Sequence, residues 1–310
     1  MGKVIVIAGP TCSGKTTLSI SVAEKINSEI ISADSRQIYK YLNIGTAKPS
    51  EAELKSIKHH LIDHTIPLNN FNAGMFVEEA ERIIFKLHSQ NKIPVVVGGT
   101  GLYIKSLIDG IIDTIDTNQD FREELLEQRK QFGNEYLYEK LKNVDPVSAE
   151  KMMPQNWKRV IRALEVFYIS GKPLWQHFKE QSRKSDHIFF QFGLEWDRKD
   201  LYKRIESRVD LMIENGLVDE VRFLLTEGYS KETNALNTVG YKEIISYLEN
   251  EISLERAVEL IKRNTRRYAK RQITWFKADK RIDWLSIEHE SDISNASEYI
   301  LQKVLNERKN

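Results

Sequence analysis

The sequence predicts an α/β protein whose core is a parallel sheet flanked by helices. Three short apolar stretches, at residues 4–8, 29–33 and 93–97, are typical of buried strands. Segments with the apolar spacing of helices lie between them, and the connections are short. Strands that alternate with helices in this way form parallel sheets, because a parallel neighbour is reached through a helical crossover.

The first strand leads into a phosphate loop, Gly9-Pro10-Thr11-Cys12-Ser13-Gly14-Lys15-Thr16, which opens the first helix. Its glycines allow the turn in which successive N–H groups point at phosphate oxygens, and the helix dipole acts at the same place. We expect Lys15 to reach the terminal phosphoryl oxygens and the Thr16 hydroxyl to help hold Mg²⁺. The loop does not specify its occupant, because nucleotides and other pyrophosphates offer similar oxygens. Strand, loop and helix in this order indicate a core like that of the P-loop NTPases.

The next elements continue the core. The second strand ends at Asp34-Ser35-Arg36-Gln37, and ligands of open sheets bind beyond the carboxyl ends of strands, so this aspartate should lie beside the phosphate loop. Residues 39–49 are predicted as a loop and residues 59–63 as a short element. Asn72 can cap a helix over residues 73–90.

The third apolar strand closes on Gly98-Gly99-Thr100-Gly101. ATPases with a phosphate loop carry a metal-holding aspartate after such a strand, where it supports Mg²⁺ and water activation. The missing carboxylate weakens an ATPase interpretation.

A helical insertion interrupts the core. Residues 114–185 have helical periodicity without a convincing strand, whereas residues 187–194 again resemble a strand. We therefore divide the chain into a catalytic core, residues 1–113 and 186–310, and an insertion domain, residues 114–185. The core ends in helices and one more candidate strand at residues 281–285. Expected helix breaks are Gly133, Pro146, Pro154 and Gly171 in the insertion and Gly216 and Gly228 in the core.

Two basic clusters predict a polyanionic partner. Six of the ten residues from 262 to 271 are basic, and helical spacing places them on one face. A second cluster, Lys158, Arg159 and Arg162, follows Trp157, which we interpret as a core residue rather than a base-stacking platform. The two clusters could hold RNA or DNA between them. On the first helix, the residues expected to face the core are Ile261, Thr265, Tyr268, Ile273 and Phe276.

The composition excludes several classes of protein. The single cysteine, Cys12, rules out intramolecular disulfides and cysteine-rich zinc sites. The 46 basic and 45 acidic residues nearly cancel, so a polyanion must be met by local clusters. The sequence contains neither an 18-residue apolar run nor the apolar region of a signal peptide, so we expect a cytoplasmic protein without membrane contact. We also expect a monomer.

The motifs extend over nearly the whole chain. They are GPTCSGKT at 9–16, DSRQIYKYLNIGTAKP at 34–49, HHLID at 59–63, VVVGGTGLYIKSL at 95–107, RVIRALEVFYISGKPL at 159–174, NTVGYKEI at 237–244 and KRQITWF at 270–276. Their order and spacing resemble those of the bacterial tRNA dimethylallyltransferases, also called tRNA isopentenyltransferases. The resemblance implies transfer of a five-carbon prenyl group from dimethylallyl diphosphate to N6 of the adenine just 3′ of the anticodon, within the anticodon stem-loop of tRNA.

The resemblance also implies roles for individual residues. The phosphate loop, with catalytic Lys15 and Thr16, would hold the diphosphate of the prenyl donor together with Arg208. Asp34 would be the general base, and Thr100 a substrate contact near the reaction centre. The adenine would be flipped into a channel opposite the donor. The positions implied to contact tRNA are Asp34, Ser35, Arg36, Gln37, Thr100, Arg122, Lys158, Arg159, Arg162, Asn237, Thr238, Val239, Gly240, Tyr241 and Lys242.

Three other functions remain open at this point. A phosphate-loop kinase of a nucleoside or small metabolite shares the core but would carry an arginine-bearing lid in the inserted region. A prenyltransferase of free adenine nucleotides would need neither the basic helices nor the insertion. A non-catalytic RNA-binding protein would need no aspartate beside a complete phosphate loop.

Overall fold

The computed structural model describes residues 2–110, 117–180 and 185–306, except for the side chain of Phe178. Its six strands form one sheet in which every pair is parallel, flanked by helices, which confirms the predicted fold class. The order across the sheet is β3-β2-β4-β1-β5-β6. The strands are β1 Gly2–Ala8, β2 Ile30–Ser32, β3 His59–His60, β4 Val95–Gly98, β5 His187–Trp196 and β6 Asp283–Ile287.

The helices fall into two groups along the chain. None of the described helices is long and apolar enough to cross a membrane. Those of the core are α1 Lys15–Lys25, α2 Glu51–Ser56, α3 Ala73–Ser89, α4 Gly101–Asp109, α9 Arg198–Glu214, α10 Leu217–Thr226, α11 Tyr241–Leu248, α12 Leu254–Lys277 and α13 Asp292–Asn306. Those of the insertion are α5 Gln119–Val144, α6 Pro146–Ala149, α7 Trp157–Ser170 and α8 Leu174–Glu180.

The centre of the sheet is formed by β1, which lies between β4 and β5. Ile5 of β1 aligns with Val95 on one side and with Phe190 on the other, so the strand after the insertion completes the sheet beside the first strand. Ile5, Val95 and Phe190 belong to one buried apolar cluster with Leu18 of α1 and Ile300 of α13. Each such side chain contributes roughly 1.5–3 kcal/mol when it is buried. This packing fixes the strand ends from which the functional loops emerge.

The strands differ from their predicted bounds by a few residues, and in two of them the difference has a local cause. At residues 59–63 only two residues pair with β2, because Leu61 and Asp63 adopt positive φ angles of 62° and 51° and leave the extended conformation. The last strand begins two residues later than predicted. There, the backbone N–H and side chain of Arg281 bind the Asp279 carboxylate, so residues 279–281 form a turn before the strand. The predicted Asn72 cap is confirmed, since its side chain accepts the Met75 N–H of α3 at 3.0 Å.

The chain separates into two compact units. One comprises Met1–Ile108 and Asp186–Asn310, and the other Asp109–Ser185; the predicted boundary at residue 114 lies outside the described residues. The second unit has its own buried core. Gly133 interrupts α5 with a φ of 85°, and Gly171 ends α7 in the left-handed conformation, as predicted. Core residues of this unit include Leu125, Leu137, Leu141, Val160 and Ile161.

Candidate active site

The larger unit contains a cavity of about 570 Å³ at the carboxyl ends of β1, β2 and β4. The phosphate loop lines one side of it from Thr11 to Thr16, and Gly9 and Pro10 lie buried at the base of the loop. Asp34 lines the same cavity, which confirms that β2 brings this carboxylate beside the loop. We call the loop with Arg208 the phosphate end, and residues 34–37 the carboxylate end.

Two side chains bind carbonyl groups of the phosphate loop: Trp196, the last residue of β5, and Arg204 of α9. The Trp196 indole Nε1 donates to the Ser13 carbonyl at 2.9 Å, and Arg204 Nε donates to the Cys12 carbonyl at 3.0 Å. The Arg204 guanidinium lies 4.4 Å from the Trp196 ring centroid. In a trans peptide the N–H points opposite to the carbonyl, so the N–H groups of Ser13 and Gly14 point away from these anchors. The loop therefore offers its donors to an anion.

Three residues of the loop have positive φ angles, and the first of them is Gly9 at 147°. Gly14, which caps α1, has a φ of 88°, and a Cβ there would lie 2.8 Å from Ile293 Cδ1. Cys12 has a φ of 66° although it carries a side chain, which is buried. Cys12 can therefore act on a ligand only through its backbone.

Lys15 and Arg208 give the phosphate end its positive charge. Burial of the Lys15 ammonium, and secondarily the charge of Arg208 beside it, lower the pKa of Lys15 to about 8. The Lys15 ammonium donates to the Pro10 carbonyl, whereas Arg208 lines the cavity without an ion pair to any described residue. The charge of Asp34 acts in the opposite direction on the pKa of Lys15, but no described carboxylate forms an ion pair with either cation. Two cations placed together without an ion pair indicate a site for an anion.

Arg204 and Arg208 lie four residues apart on α9 and have separate tasks. Arg204 is occupied by the Cys12 carbonyl, by Glu290 at 2.9 Å and by the Trp196 ring. Arg208 lies one turn further along α9 and faces the cavity. Both arginines line the cavity, but of the two only Arg208 forms no ion pair with a described residue and is available to bind a phosphate.

At the carboxylate end, Asp34 shapes its own turn with one oxygen. Oδ1 accepts the Arg36 N–H at 2.8 Å and the Gln37 N–H at 3.3 Å. Oδ2 has no hydrogen-bond partner in the described part of the chain and is available to a substrate proton. Arg36 in turn donates to the Asn234 carbonyl at 2.7 Å.

Thr100 supports this turn. Its Oγ1 accepts the Ser35 N–H at 3.0 Å and lies 3.3 Å from the Ser35 hydroxyl. The Thr100 hydroxyl binds Ser35, and Thr100 is not among the described residues that line the cavity. The structure therefore places Thr100 behind the site, whereas the prediction was a direct contact with substrate. Thr100 thus positions Ser35 and Asp34.

Gln272 of α12 joins the two strand ends and was not predicted from its position in the sequence. Its Oε1 accepts the Thr11 N–H and its Nε2 donates to the Gly99 carbonyl, both at 2.9 Å. The side chain is almost fully buried. Its only sequence signal is a polar residue on the core face of an amphipathic helix, where a buried amide must find partners.

Two further α12 residues differ from their prediction. Ile261 and Phe276 are buried as expected, whereas Thr265 and Tyr268 line the cavity instead of the core. Burial raises the pKa of Tyr268 to about 12, so its hydroxyl remains a neutral donor. Ile273 is half-buried against a small apolar cluster.

The basic face of α12 is narrower than predicted. Lys262 pairs with Asp210 and Arg266 with Glu206, both on α9, so a neighbouring helix supplies the acidic partners that α12 itself lacks. The basic side chains of this helix that remain exposed and form no ion pair with a described residue are Arg267, Lys270 and Arg271.

Residues 237–242 border the cavity, with one exception. Asn237, Thr238, Val239, Gly240 and Lys242 line it. The Tyr241 side chain is fully buried, so the prediction that it contacts tRNA is wrong for this side chain, whose aromatic ring belongs to the core.

The insertion presents a separate basic surface. Glu165 is fully buried and accepts from Arg122 at 2.9 Å and from Arg162 at 2.7 Å. Lys158 and Arg159 are exposed. Trp157 packs against the core of this unit, as predicted, with the Arg129 guanidinium 3.9 Å from its ring centroid; it belongs to the apolar cluster of α5 and α7.

The end of β4 cannot carry the acid that ATPases place there. A Cβ at Gly98 would lie 2.1 Å from the Ala33 carbonyl oxygen, so no side chain fits. The chain is therefore a phosphate-loop protein of the α/β class in which the carboxylate of the site comes from β2.

Comparison with known proteins identifies the family. The chain belongs to the IPP transferase family, whose model matches residues 37–279. It is 51% identical to the tRNA dimethylallyltransferase of Acetivibrio thermocellus, covering 97% of this chain and 98% of the relative. It is 46% identical to that of Carboxydothermus hydrogenoformans, with 98% and 97% covered.

Solved structures agree with this assignment. The tRNA isopentenylpyrophosphate transferase of Bacillus halodurans is 36% identical, has a TM-score of 0.73, and is matched over 98% of this chain and 97% of that one. A eukaryotic dimethylallyltransferase acting on tRNA is 30% identical, with a TM-score of 0.83 and with 99% and 81% covered.

Proposed function

We propose that this chain transfers a dimethylallyl group from dimethylallyl diphosphate to N6 of the adenine just 3′ of the anticodon in tRNA. Family membership and the names of its relatives support the reaction class. The observation that carries the proposal is the cavity, which has cations at one end and an available carboxylate oxygen of Asp34 at the other. Transfer of an allyl group between a diphosphate and an amine needs these two features.

The phosphate end binds the diphosphate. The N–H groups of the phosphate loop, the Lys15 ammonium and the Arg208 guanidinium donate to its oxygens, and they stabilise the negative charge that grows as diphosphate departs. A bound diphosphate also returns the pKa of Lys15 towards its ordinary value, because an anion favours the charged ammonium.

Thr16 suits a magnesium ion. Mg²⁺ is usually held by one or two protein oxygens together with substrate phosphates and water, and the Thr16 side chain lines the cavity next to the predicted diphosphate. When bound, the ion neutralises charge on the diphosphate oxygens.

The carboxylate end activates the acceptor. The N6 lone pair of adenine is delocalised into the ring, so the amine is a poor nucleophile until a base accepts one of its protons. Asp34 Oδ2 takes this proton as the bond between N6 and C1 of the allyl group forms. The bond between C1 and the bridging oxygen breaks, and diphosphate leaves with that electron pair.

The RNA reaches this site with its target base out of the stack. N6 is inaccessible within a stacked anticodon loop, so the adenine is flipped into the cavity. We assign the anticodon stem-loop to exposed cations that can meet its phosphates. These are Lys158 and Arg159 of the insertion and Arg267, Lys270 and Arg271 of α12, together with residues 237–240 and Lys242 beside the cavity. Arg36, Arg122 and Arg162 are further candidates.

Two labelled donors test the proposal. The chain is incubated with an anticodon stem-loop RNA and either labelled dimethylallyl diphosphate or labelled ATP. We expect label to enter the RNA from dimethylallyl diphosphate only, with AMP a poor competing acceptor. Phosphoryl transfer from ATP, without prenyl transfer, would instead identify a phosphate-loop kinase, and prenylation of AMP in preference to RNA would identify a nucleotide prenyltransferase.

A further inference from the structure

A single carboxylate on α10 holds the loop that follows the carboxylate end. Glu220 Oε2 accepts the N–H groups of Asn43 and Ile44 at 2.9 and 2.8 Å, and its Oε1 accepts that of Gly45 at 3.1 Å. Oε1 also accepts the Tyr241 hydroxyl at 2.6 Å. A carboxylate has about four lone-pair sites, so these four donors use its whole capacity. An amide in its place offers one acceptor oxygen and an NH₂ group that faces donors.

The loop fits closely against this anchor. A Cβ at Gly45 would lie 2.4 Å from the Tyr241 ring, so the backbone of the loop touches the ring directly. Burial, and then the Glu220 carboxylate, raise the pKa of Tyr241 well above its ordinary value, so the phenol stays protonated and keeps donating. Glu220 and the Tyr241 ring thus hold residues 43–45 in place.

The seated loop fixes the amide of Gln37. Its Nε2 donates to the Thr46 carbonyl at 3.2 Å and to the Ala47 carbonyl at 3.0 Å, which uses both amide hydrogens. Among the described residues, its Oε1 accepts a hydrogen bond only from the Ser32 hydroxyl, at a long 3.4 Å. Gln37 lines the cavity beside Asp34, so these two side chains present hydrogen-bond acceptors to the target adenine. The other two side chains of this end are engaged elsewhere, Ser35 with Thr100 and Arg36 with the Asn234 carbonyl.

We propose that Glu220 is a positioning residue that makes the site select a purine with an amino group at position 6 over one with an oxo group. Glu220 holds residues 43–47 in place, and the carbonyls of Thr46 and Ala47 then bind the Gln37 NH₂ group. The Gln37 oxygen is therefore the polar atom that this side chain can offer to a base. An adenine amino group can donate to Asp34 and to Gln37, whereas a 6-oxo group would place its oxygen against two acceptors. The inference rests on the proposed function.

The test compares the binding of two RNAs. Anticodon stem-loops carrying adenosine or inosine at the target position are titrated against the full chain without prenyl donor. For the unsubstituted chain we expect the inosine RNA to bind about tenfold more weakly, since a site built for a hydrogen-bonding group rejects an analogue that cannot make the bond. In Glu220→Gln the loop loses acceptors, Gln37 can turn its amide, and the ratio should fall below about threefold.

A general loss of structure would weaken both RNAs equally and leave the ratio unchanged, so the ratio separates positioning from folding. The matched control is Glu227→Gln at the exposed end of the same helix, which should keep the original ratio. Affinity for inorganic pyrophosphate should be the same in all three proteins, because Glu220 contacts none of the phosphate end.

Two results would overturn the proposal: an unchanged ratio in folded Glu220→Gln, or no preference for adenosine in the unsubstituted chain. If Glu220→Gln does not fold, Gln37→Leu provides the test, since it removes the acceptor without touching the anchor and must lower the ratio as well. Prenyl transfer is measured on the same preparations. Its absence in the unsubstituted chain would contradict the proposed function, whereas normal transfer with an unchanged ratio would contradict only the role of Glu220.

Discussion

The two ends of the cavity differ in charge and in how they are built. The phosphate end combines the phosphate loop, whose Lys15 begins α1, with Arg208 of α9, and the carboxylate end carries Asp34 on a turn held by Thr100. In the proposed reaction, diphosphate leaves where the cations are, and the amine proton goes to the opposite end. The separation of charge therefore matches the direction of transfer, and the predictions that follow test each end alone.

The largest effect is expected at the carboxylate end. Asp34→Asn keeps an oxygen for the Arg36 and Gln37 N–H groups, so the turn remains, but it removes the base. We expect single-turnover transfer to slow by about a thousandfold, which lies within the range for loss of a general base. Pyrophosphate affinity should change less than about twofold. A transfer rate within tenfold of the original would remove Asp34 from this role.

Next in size is the contrast between two arginines on α9. Arg208→Ala should slow transfer by about a hundredfold, because a donor to the leaving group is lost, with little change in the midpoint of urea unfolding. Arg204→Ala should mainly lower the free energy of unfolding, by about 1–2 kcal/mol, because the Cys12 carbonyl and the Trp196 ring lose a partner. Kinetics and urea unfolding of both variants check this. Equal effects of the two substitutions on transfer would contradict their separate tasks.

The third prediction concerns the link between the phosphate loop and the end of β4. Gln272→Leu leaves the Thr11 N–H and the Gly99 carbonyl buried without a partner, which costs about 2 kcal/mol of unfolding free energy. Because the phosphate loop loses this anchor, pyrophosphate should bind about tenfold more weakly, as measured by calorimetric titration. Gln302→Leu, on the exposed side of α13, is the control and should change neither quantity. Unaltered pyrophosphate binding in folded Gln272→Leu would show that the loop keeps its shape without this side chain.

The last prediction concerns the free-energy cost of burying the positively charged Lys15 side chain in the unliganded chain. Its pKa in the folded chain, about 8, lies below its ordinary 10.5, so between these pH values the unfolded chain binds more protons. The free energy of unfolding should therefore rise with pH across that window, because the buried ammonium destabilises the fold below it. Lys15→Met should stabilise the unliganded chain by about 2 kcal/mol near neutral pH and remove the rise. Urea unfolding at about pH 7 and about pH 10 measures both, and a rise that persists in the variant would contradict the assignment to Lys15.

Much of the phosphate end could be predicted from the sequence, because it is local. The phosphate loop is one contiguous motif between a strand and a helix, and the fold class followed from the alternation of apolar strands with helices. Asp34 was predicted at the same site because parallel strands end at one edge of the sheet. What the sequence did not reveal is the support of that loop. Its anchors come from α12 and from the end of β5, and no spacing along the chain points to them.

The carboxylate end depends more on residues that are distant in sequence. Glu220 lies 177 positions from Asn43, and a single glutamate on a surface helix has no distinctive pattern. The same limit explains the basic face of α12, whose acidic partners are on α9. Tyr241 was misassigned because its motif predicts a place beside the site but not which side chains face inward. Such features require the packed structure, since they depend on which elements become neighbours.

The measurement that most directly tests the central claim is mass analysis of tRNA nucleosides from cells that lack this protein and cells that carry it. Cells with the protein should contain adenosine bearing one dimethylallyl group, and cells without it should not. Restoring the unsubstituted chain should restore the modified nucleoside, whereas restoring Asp34→Asn should not. Prenylated adenosine that persists without the protein, or that Asp34→Asn restores in full, would contradict the account.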